Sequence, residues 1–180
     1  MNDIHETVIL QGRVELGDNV TIHPYCVIGA QGSSADLVDG VYRVRKTDDV
    51  TVIEDGVTIL NGTSIQSGSR IGRGSILGPH ANVGHHTVIG ESVRLHFHAV
   101  CAGYVTLGNR VVVHPNACIG SNVTVGEFAR IGMNASVEKD VPPRRVYFGV
   151  PARSQGEQRL RGEVMRGLVE EYRKNAGKLD

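Results

Sequence analysis

A period of six residues runs through most of this chain and constrains its fold more than any other feature. From Ile53 onward every sixth residue is aliphatic, apart from one small thiol, through fifteen consecutive repeats. These anchor residues are Ile53, Ile59, Ile65, Ile71, Leu77, Val83, Ile89, Leu95, Cys101, Leu107, Val113, Ile119, Val125, Ile131 and Val137. Four residues after each anchor stands a small or β-branched residue, from Val57 to Val141. A period of six fits neither an α-helix nor simple strand alternation, so it indicates a structural repeat.

The repeat also predicts where the backbone turns. Three residues after the anchor, glycine or asparagine recurs at Gly56, Gly62, Gly68, Gly74, Asn116, Asn122 and Asn134. These residue types adopt a left-handed backbone at low cost. Each hexad then forms one short strand and one corner, and three consecutive hexads close one triangular coil. Coils stacked in parallel, about 4.8 Å apart, bury the anchors inside a narrow all-β prism.

Composition excludes several classes of protein. Lys plus Arg and Asp plus Glu number 19 each, so the chain lacks the basic footprint of a nucleic-acid binder or a polybasic membrane binder. No apolar run reaches the roughly 18 residues of a membrane span, and the first residues lack the pattern of a signal peptide. Three cysteines form neither a disulfide framework nor a CxxC pair. We therefore expect a cytoplasmic protein.

Two segments depart from the repeat. The period is already present at Ile4, Leu10, Leu16, Ile22 and Ile28, but the separation between Ile28 and Ile53 is not a multiple of six. This predicts an insertion over about residues 31–51, in which Asp39-Gly40 between apolar residues indicates a hairpin. After Pro142-Pro143 the repeat ends, and a one-sided apolar stripe predicts a C-terminal α-helix. The predicted domains are therefore a β-helix over residues 1–153 and a helix over residues 154–180.

The repeat places the histidines without a structure, because residues three hexads apart stack on adjacent coils. Six of the eight histidines fall between positions 80 and 114. His80 then stacks on His98, His96 on His114, and His86 on Tyr104. His85 has Gly103 directly one coil on, about one strand spacing away.

The His85 and Gly103 pair fits acyl transfer. This reaction needs a base that takes a proton from the attacking amine or hydroxyl, and a donor for the oxyanion that develops. Histidine titrates near neutrality, and a glycine amide lets a thioester approach closely. The competing interpretation is that corner histidines only face solvent or a subunit interface.

The repeat over residues 4 to about 153 resembles the hexapeptide-repeat transferases. That resemblance implies a left-handed parallel β-helix that assembles as a homotrimer, with sites in the crevices between neighbouring prisms. Residues 81–90 and 102–105 resemble the catalytic segment of the lipid A UDP-sugar acyltransferases and bacterial sugar N-acetyltransferases. In that match His85 is the general base, Gly103 supplies the oxyanion amide, and His86 stands where an orienting Asp or Asn is usual.

The resemblance implies an acyltransferase that moves an acyl group from a thioester to an amino or hydroxyl group of a nucleotide-linked sugar. Residues 140–145 and 148–153 look like the closing motif of acetyltransferases of this fold, which faces coenzyme A. We therefore expect acyl-CoA as co-substrate and no metal. The expected donor-binding residues are Ala102, Tyr104, Arg144, Arg145 and Arg153. The expected sugar-binding residues are His80, Asn82, His96 and His98.

Two alternatives stay open. His80 and His85 have the spacing of two zinc-binding histidines of the γ-class carbonic anhydrases, although Gly72 stands where that family's further histidine is expected. Two histidines do not hold a catalytic zinc, which takes three protein ligands, so His96, His98 or His114 would have to substitute. The other alternative is a non-catalytic hexapeptide scaffold.

Overall fold

The computed structural model describes residues 1–31, 35–38, 41–44 and 49–157. Each hexad forms one short strand that pairs in parallel with the strand three hexads away. Leu77, for example, pairs with Leu95, and Leu95 pairs with Val113. Three parallel sheets result, and they form the three faces of a prism.

The strands of each face are as follows. Face 1 contains β1 (Asp3–Ile4), β4 (Thr21–Ile22), β9 (Thr58–Ile59), β12 (Ile76–Leu77), β15 (Arg94–Leu95), β18 (Val112–Val113), β21 (Arg130–Ile131), β23 (Arg145–Phe148) and β24 (Arg153–Glu157). Face 2 contains β2 (Ile9–Leu10), β5 (Val27–Ala30), β10 (Ser64–Gln66), β13 (Asn82–Val83), β16 (Val100–Cys101), β19 (Cys118–Ile119) and β22 (Ser136–Val137). Face 3 contains β3 (Val14–Leu16), β8 (Thr51–Ile53), β11 (Arg70–Ile71), β14 (Val88–Ile89), β17 (Thr106–Leu107) and β20 (Thr124–Val125).

The core is the pair of columns that the repeat predicts. All fifteen anchors from Ile53 to Val137 are at most 2% exposed, and the residues four positions later are buried as well. Where that second residue is Ser or Thr, its hydroxyl donates to a backbone carbonyl of the next coil, as Ser69 does to Gly84 at 2.8 Å and Thr87 to Ala102 at 2.9 Å. Small and β-branched residues fit this column because their short side chains leave room for the aliphatic anchors.

The corners confirm the predicted left-handed backbone and extend it to larger residues. Every residue three positions after an anchor, from Gly56 to Asn134, has a positive φ between 55° and 73°. His80, His86, His98 and Tyr104 are among them. The coil geometry therefore imposes this conformation on side chains that do not favour it.

The insertion leaves the prism between faces 2 and 3. Ile22 pairs with Ile59 and Ile28 with Ile65, so these partners are much further apart in the sequence than the three hexads of an ordinary coil. The residues by which this separation exceeds one coil lie between β5 and β8, and they form the insertion. Within it, β6 (Ala35–Val38) and β7 (Val41–Val44) pair antiparallel with Val38 opposite Val41. The predicted two-residue hairpin is therefore confirmed.

The two ends of the stack differ. At the amino end Ile4 and Leu10 are 38% and 48% exposed, because their coil has a neighbour on one side only. At the other end β23 continues face 1 and β24 folds back on it antiparallel. Residues 154–157 of the predicted C-terminal helix thus belong to a strand, and the remainder of that helix lies outside the described residues. Within the described ranges, no helix is long and apolar enough to cross a membrane.

Candidate active site

The turns that join face 2 to face 3 form a corner that carries His85, His86, Gly103 and Tyr104; we call it corner 2–3. The insertion leaves the prism at this same corner, between β5 and β8. Its last residues therefore return beside the turns that hold the two histidines.

The His85 imidazole occupies the space in which a side chain of residue 103 would stand. A β-carbon built on Gly103 would lie 2.7 Å from His85 Nε2 and 2.8 Å from its Cε1, closer than real β-carbons approach other atoms. Among the described residues, no acceptor bonds the Gly103 N–H. The predicted base and the predicted amide donor are thus direct neighbours on adjacent coils.

Several contacts fix the orientation of His85. Its backbone N–H donates to Gln66 Oε1 at 3.0 Å. Its Nδ1 lies 3.1 Å from His86 Nδ1, and its ring meets the Tyr104 ring edge-on, with centroids 4.9 Å apart. Because Nδ1 faces His86, Nε2 is the nitrogen that faces Gly103.

His86 connects His85 to a carboxylate. Its Nε2 lies 2.9 Å from Asp49 Oδ2, and its ring stacks on Tyr104 at an interplanar angle of 14°. The stack of His86 and Tyr104 confirms the placement predicted from the repeat. Asp49, His86 and His85 therefore form a continuous hydrogen-bonded chain that starts at the end of the insertion.

Gly68 makes room for this chain. A β-carbon there would lie 2.9 Å from His86 Cδ2, 3.0 Å from His86 Nε2 and 3.2 Å from Asp49 Cβ. Any side chain at position 68 would crowd both partners of the contact.

Burial lowers the pKa of His85 and so favours its neutral form. Desolvation is the larger of two causes that lower its pKa from the usual 6.5, and the neighbouring His86 is the second. His85 is therefore neutral at physiological pH, which is the state that a general base needs. Burial raises the pKa of the Cys101 thiol to about 12, so that anchor is chemically inert.

The predicted sugar-binding residues lie on and beside the preceding corner, between faces 1 and 2. His80 stacks on His98 with ring centroids 5.3 Å apart, and His96 stacks on His114 at 5.0 Å, as the repeat predicts. Asn82 is in β13, between this corner and corner 2–3. Within one chain, His80, His96 and His98 are therefore not grouped with His85.

The predicted donor-binding residues are divided between separate places. Ala102 and Tyr104 flank Gly103 at corner 2–3. Arg144 lies at the corner between faces 3 and 1, where its guanidinium and that of Arg110 lie 5.2 and 5.4 Å from the centroid of the Phe128 ring. Arg145 begins β23 and Arg153 begins β24, both on face 1 and exposed. One chain thus does not gather the arginines around His85.

Sequence reasoning missed Asp49, Gln66 and Gly68. Asp49 lies six hexads, or two coils, before His85, so counting backwards from His85 would have found it. The irregular spacing of the insertion concealed that relation.

No group of three His, Cys, Asp or Glu side chains within the described ranges is arranged to hold a metal ion.

Comparison with known proteins agrees with this architecture. The family model "Bacterial transferase hexapeptide (six repeats)" matches residues 50–85. The repeat that this model describes continues in the chain from Ile53 to Val137. No curated protein sequence matches it.

Several solved structures are similar to this chain. One is UDP-N-acetylglucosamine O-acyltransferase from Moraxella catarrhalis RH4, with a TM-score of 0.68 and 19% identity over 94% of this chain and 83% of that one. Another is the UDP-N-acetylglucosamine acyltransferase of Bacteroides fragilis 9343, with a TM-score of 0.79 and 20% identity over 94% of this chain and 64% of that one. A third similar structure is a histidine-to-alanine mutant of GDP-perosamine N-acetyl transferase from Caulobacter crescentus, in complex with CoA and GDP-perosamine. Its TM-score is 0.54 and its identity 22%, over 87% of this chain and 57% of that one. These likenesses confirm the predicted left-handed β-helix. This chain spans less than two thirds of the length of the Bacteroides fragilis and Caulobacter crescentus proteins.

Proposed function

We propose that this protein is an acyltransferase that moves an acyl group from a thioester, acyl-CoA in the first instance, to an amino or hydroxyl group of a nucleotide-linked sugar. The observation that carries the proposal is that His85 Nε2 fills the space beside the Cα of Gly103, a residue whose amide has no protein acceptor among the described residues. A base and an oxyanion donor are the two groups that acyl transfer requires.

The chemistry at this contact balances with the two groups alone. The acceptor nitrogen or oxygen forms a bond to the thioester carbonyl carbon while its proton passes to His85 Nε2. The carbonyl oxygen becomes an oxyanion that accepts a hydrogen bond from the Gly103 amide. When the carbon–sulfur bond breaks, the thiolate leaves with the electron pair and takes the proton back from Nε2.

The similar structures support the choice of substrates. Two of them are UDP-N-acetylglucosamine acyltransferases, and a third was solved with CoA and GDP-perosamine. A nucleotide-linked sugar and a thioester are therefore the first compounds to test. We also propose a homotrimer, since His85 lies on an outer corner that needs a second wall to enclose a substrate, and the histidine corner of a neighbouring prism would provide one.

The test is release of free thiol from acetyl- and longer acyl-CoA, and from acyl carrier protein, with a panel of UDP- and GDP-linked amino sugars. We expect His85→Ala to lower kcat by about 10² to 10⁴, the usual contribution of a positioned base, with little change in KM for the thioester. His23→Ala, which removes an exposed histidine of an N-terminal coil, is the matched control and should leave kcat unchanged. Full activity in His85→Ala would refute the assignment.

A further inference from the structure

Corner 2–3 contains a carboxylate, Asp49, that does not touch His85 itself. It contacts His86, which in turn contacts His85, so the carboxylate acts on His85 only through a second imidazole. We propose that Asp49 and His86 are positioning residues that fix the tautomer of His85 so that its Nε2 carries the lone pair. This proposal rests on the proposed function, in which His85 Nε2 is the base.

The donors and acceptors along the chain determine the tautomer. An ionised carboxylate only accepts hydrogen bonds, so Asp49 Oδ2 requires the proton of neutral His86 to lie on Nε2. His86 Nδ1 then has a lone pair and accepts. The bond between the two Nδ1 atoms therefore requires His85 to donate from Nδ1, and this leaves the lone pair on its Nε2.

The same chain stabilises His85 after it takes the proton. Once Nε2 is protonated, the imidazolium is held by its Nδ1–H bond to His86, and the Asp49 charge lies at the far end of that bond. No second proton transfer is needed. The proton that Nε2 receives from the acceptor returns to the leaving thiolate.

The surroundings keep the chain in place. Tyr104 stacks on the His86 ring and meets the His85 ring edge-on, so one aromatic side chain restrains both imidazoles. On the opposite side of His86, Gly68 leaves the space that Asp49 needs. Asp49 lies two residues before β8, and the backbone N–H of Thr51, the first residue of that strand, donates to the carbonyl of Arg13 at 2.9 Å, so Asp49 lies close to face 3.

Asp49→Asn is the informative variant because an amide has nearly the same shape. Its NH₂ group can donate to His86 Nε2, which favours the opposite tautomer of His86 and therefore a proton on His85 Nε2. Loss of the carboxylate that orients a metal-bound histidine typically costs about 10- to 100-fold, and we take the same range for this histidine base. We expect Asp49→Asn to lower kcat by about 10- to 100-fold with an unchanged KM for the thioester. Asp3→Asn removes another exposed carboxylate, at the amino end of the stack, and should leave kcat unchanged.

The decisive readout is ¹⁵N NMR of the imidazole nitrogens at a pH where the histidines are neutral, with the His85 signals identified by their loss in His85→Asn. The wild type should show His85 protonated at Nδ1, and Asp49→Asn should shift the proton population towards Nε2. A wild type protonated at Nε2, or an Asp49→Asn variant with the wild-type spectrum and wild-type kcat, would overturn the proposal. If the wild type shows the expected tautomer but transfers no acyl group to any acceptor, the proposed function fails while the tautomer assignment stands.

A second pair of variants tests the contact by sterics alone. Gly68→Ala and Gly74→Ala both place alanine at a left-handed corner, with φ of 73° and 64°. At position 74 the nearest atom to the new β-carbon is 3.9 Å away, whereas at position 68 it collides with His86. Only Gly68→Ala should therefore lower kcat and disturb the His85 spectrum, and an equal effect of both variants would contradict the proposed geometry.

Discussion

Replacing Gly103 by alanine tests the candidate site while leaving the fold intact. The new methyl carbon would lie 2.7 Å from His85 Nε2, well inside the 3.4 Å at which ordinary contact begins. The backbone of Gly103 is not left-handed, so alanine is not strained there. The atoms in its way belong to a partly exposed side chain, which can move aside.

The expected fall in kcat follows from this displacement of the His85 imidazole. The imidazole must shift by more than half an ångström, which breaks its 3.1 Å contact with His86 or moves Nε2 away from the reacting carbonyl. Misplacing a catalytic group by about 1 Å costs roughly 10²-fold in rate. We therefore expect kcat for thiol release to fall by about 10²-fold. The melting temperature should stay within a few degrees of the wild type, because a compatible glycine-to-alanine change alters stability by only about 0.4 to 1 kcal/mol.

The matched control is Gly120→Ala, one coil beyond Ala102 on the same corner. Its backbone is also not left-handed, and its new β-carbon comes closest to a backbone oxygen, at 3.2 Å. Both variants should unfold like the wild type, and only Gly103→Ala should lose activity. Wild-type kcat in Gly103→Ala would refute the idea that His85 and the Gly103 amide act together.

Three further predictions concern pH, assembly and the insertion. Because burial lowers the pKa of His85, kcat/KM should fall in acid with a midpoint below 6.5; a midpoint above 6.5 in the wild type would contradict this. Light scattering should give about three times the 19.4 kDa of one chain, and a stable monomer would contradict the trimer. Deleting residues 34–45 should leave thermal unfolding unchanged, since β6 and β7 pair only with each other, while raising KM for the sugar; a large loss of stability would contradict this.

Most of the fold could be predicted from the sequence because one constraint recurs in every coil. Each anchor points into a prism with room for a single aliphatic side chain, so the period of six is visible in Ile53 and in every later hexad. The hairpin was predictable for a similar reason, since Asp39-Gly40 is a local turn signal. The strand β24 was not, because its backbone pairs with β23 at the end of the stack, and that partner was not apparent from the repeat.

The candidate site was predictable only where it follows the repeat. His85 and Gly103 stand three hexads apart, and so do His86 and Tyr104, so counting alone placed these neighbours. Asp49 also stands in register, six hexads before His85, but it lies in the segment predicted as an insertion, so it was not assigned to a coil. Its role depends on how far its side chain reaches across Gly68, and no sequence spacing expresses that distance.

The left-handed corner at which His86 stands carries a cost in stability, as does every corner of this prism that holds a residue with a side chain. A residue with a side chain in that conformation is strained by roughly 1 to 2 kcal/mol, and glycine avoids the strain at a smaller entropic cost of about 0.5 to 1 kcal/mol. Ser92 occupies the equivalent position one corner on, with φ of 55° and an exposed side chain, so Ser92→Gly should stabilise the protein by about 0.5 to 1 kcal/mol and raise its melting temperature by about 2 °C. His86→Gly relieves the same strain but loses the stack on Tyr104, which is worth about 0.5 to 1.5 kcal/mol, so its melting temperature should change less. If His86 supports His85, the glycine variant should fold well and transfer acyl groups poorly, whereas a variant that gains stability and keeps its full rate would show that the strain at this corner serves no catalytic purpose.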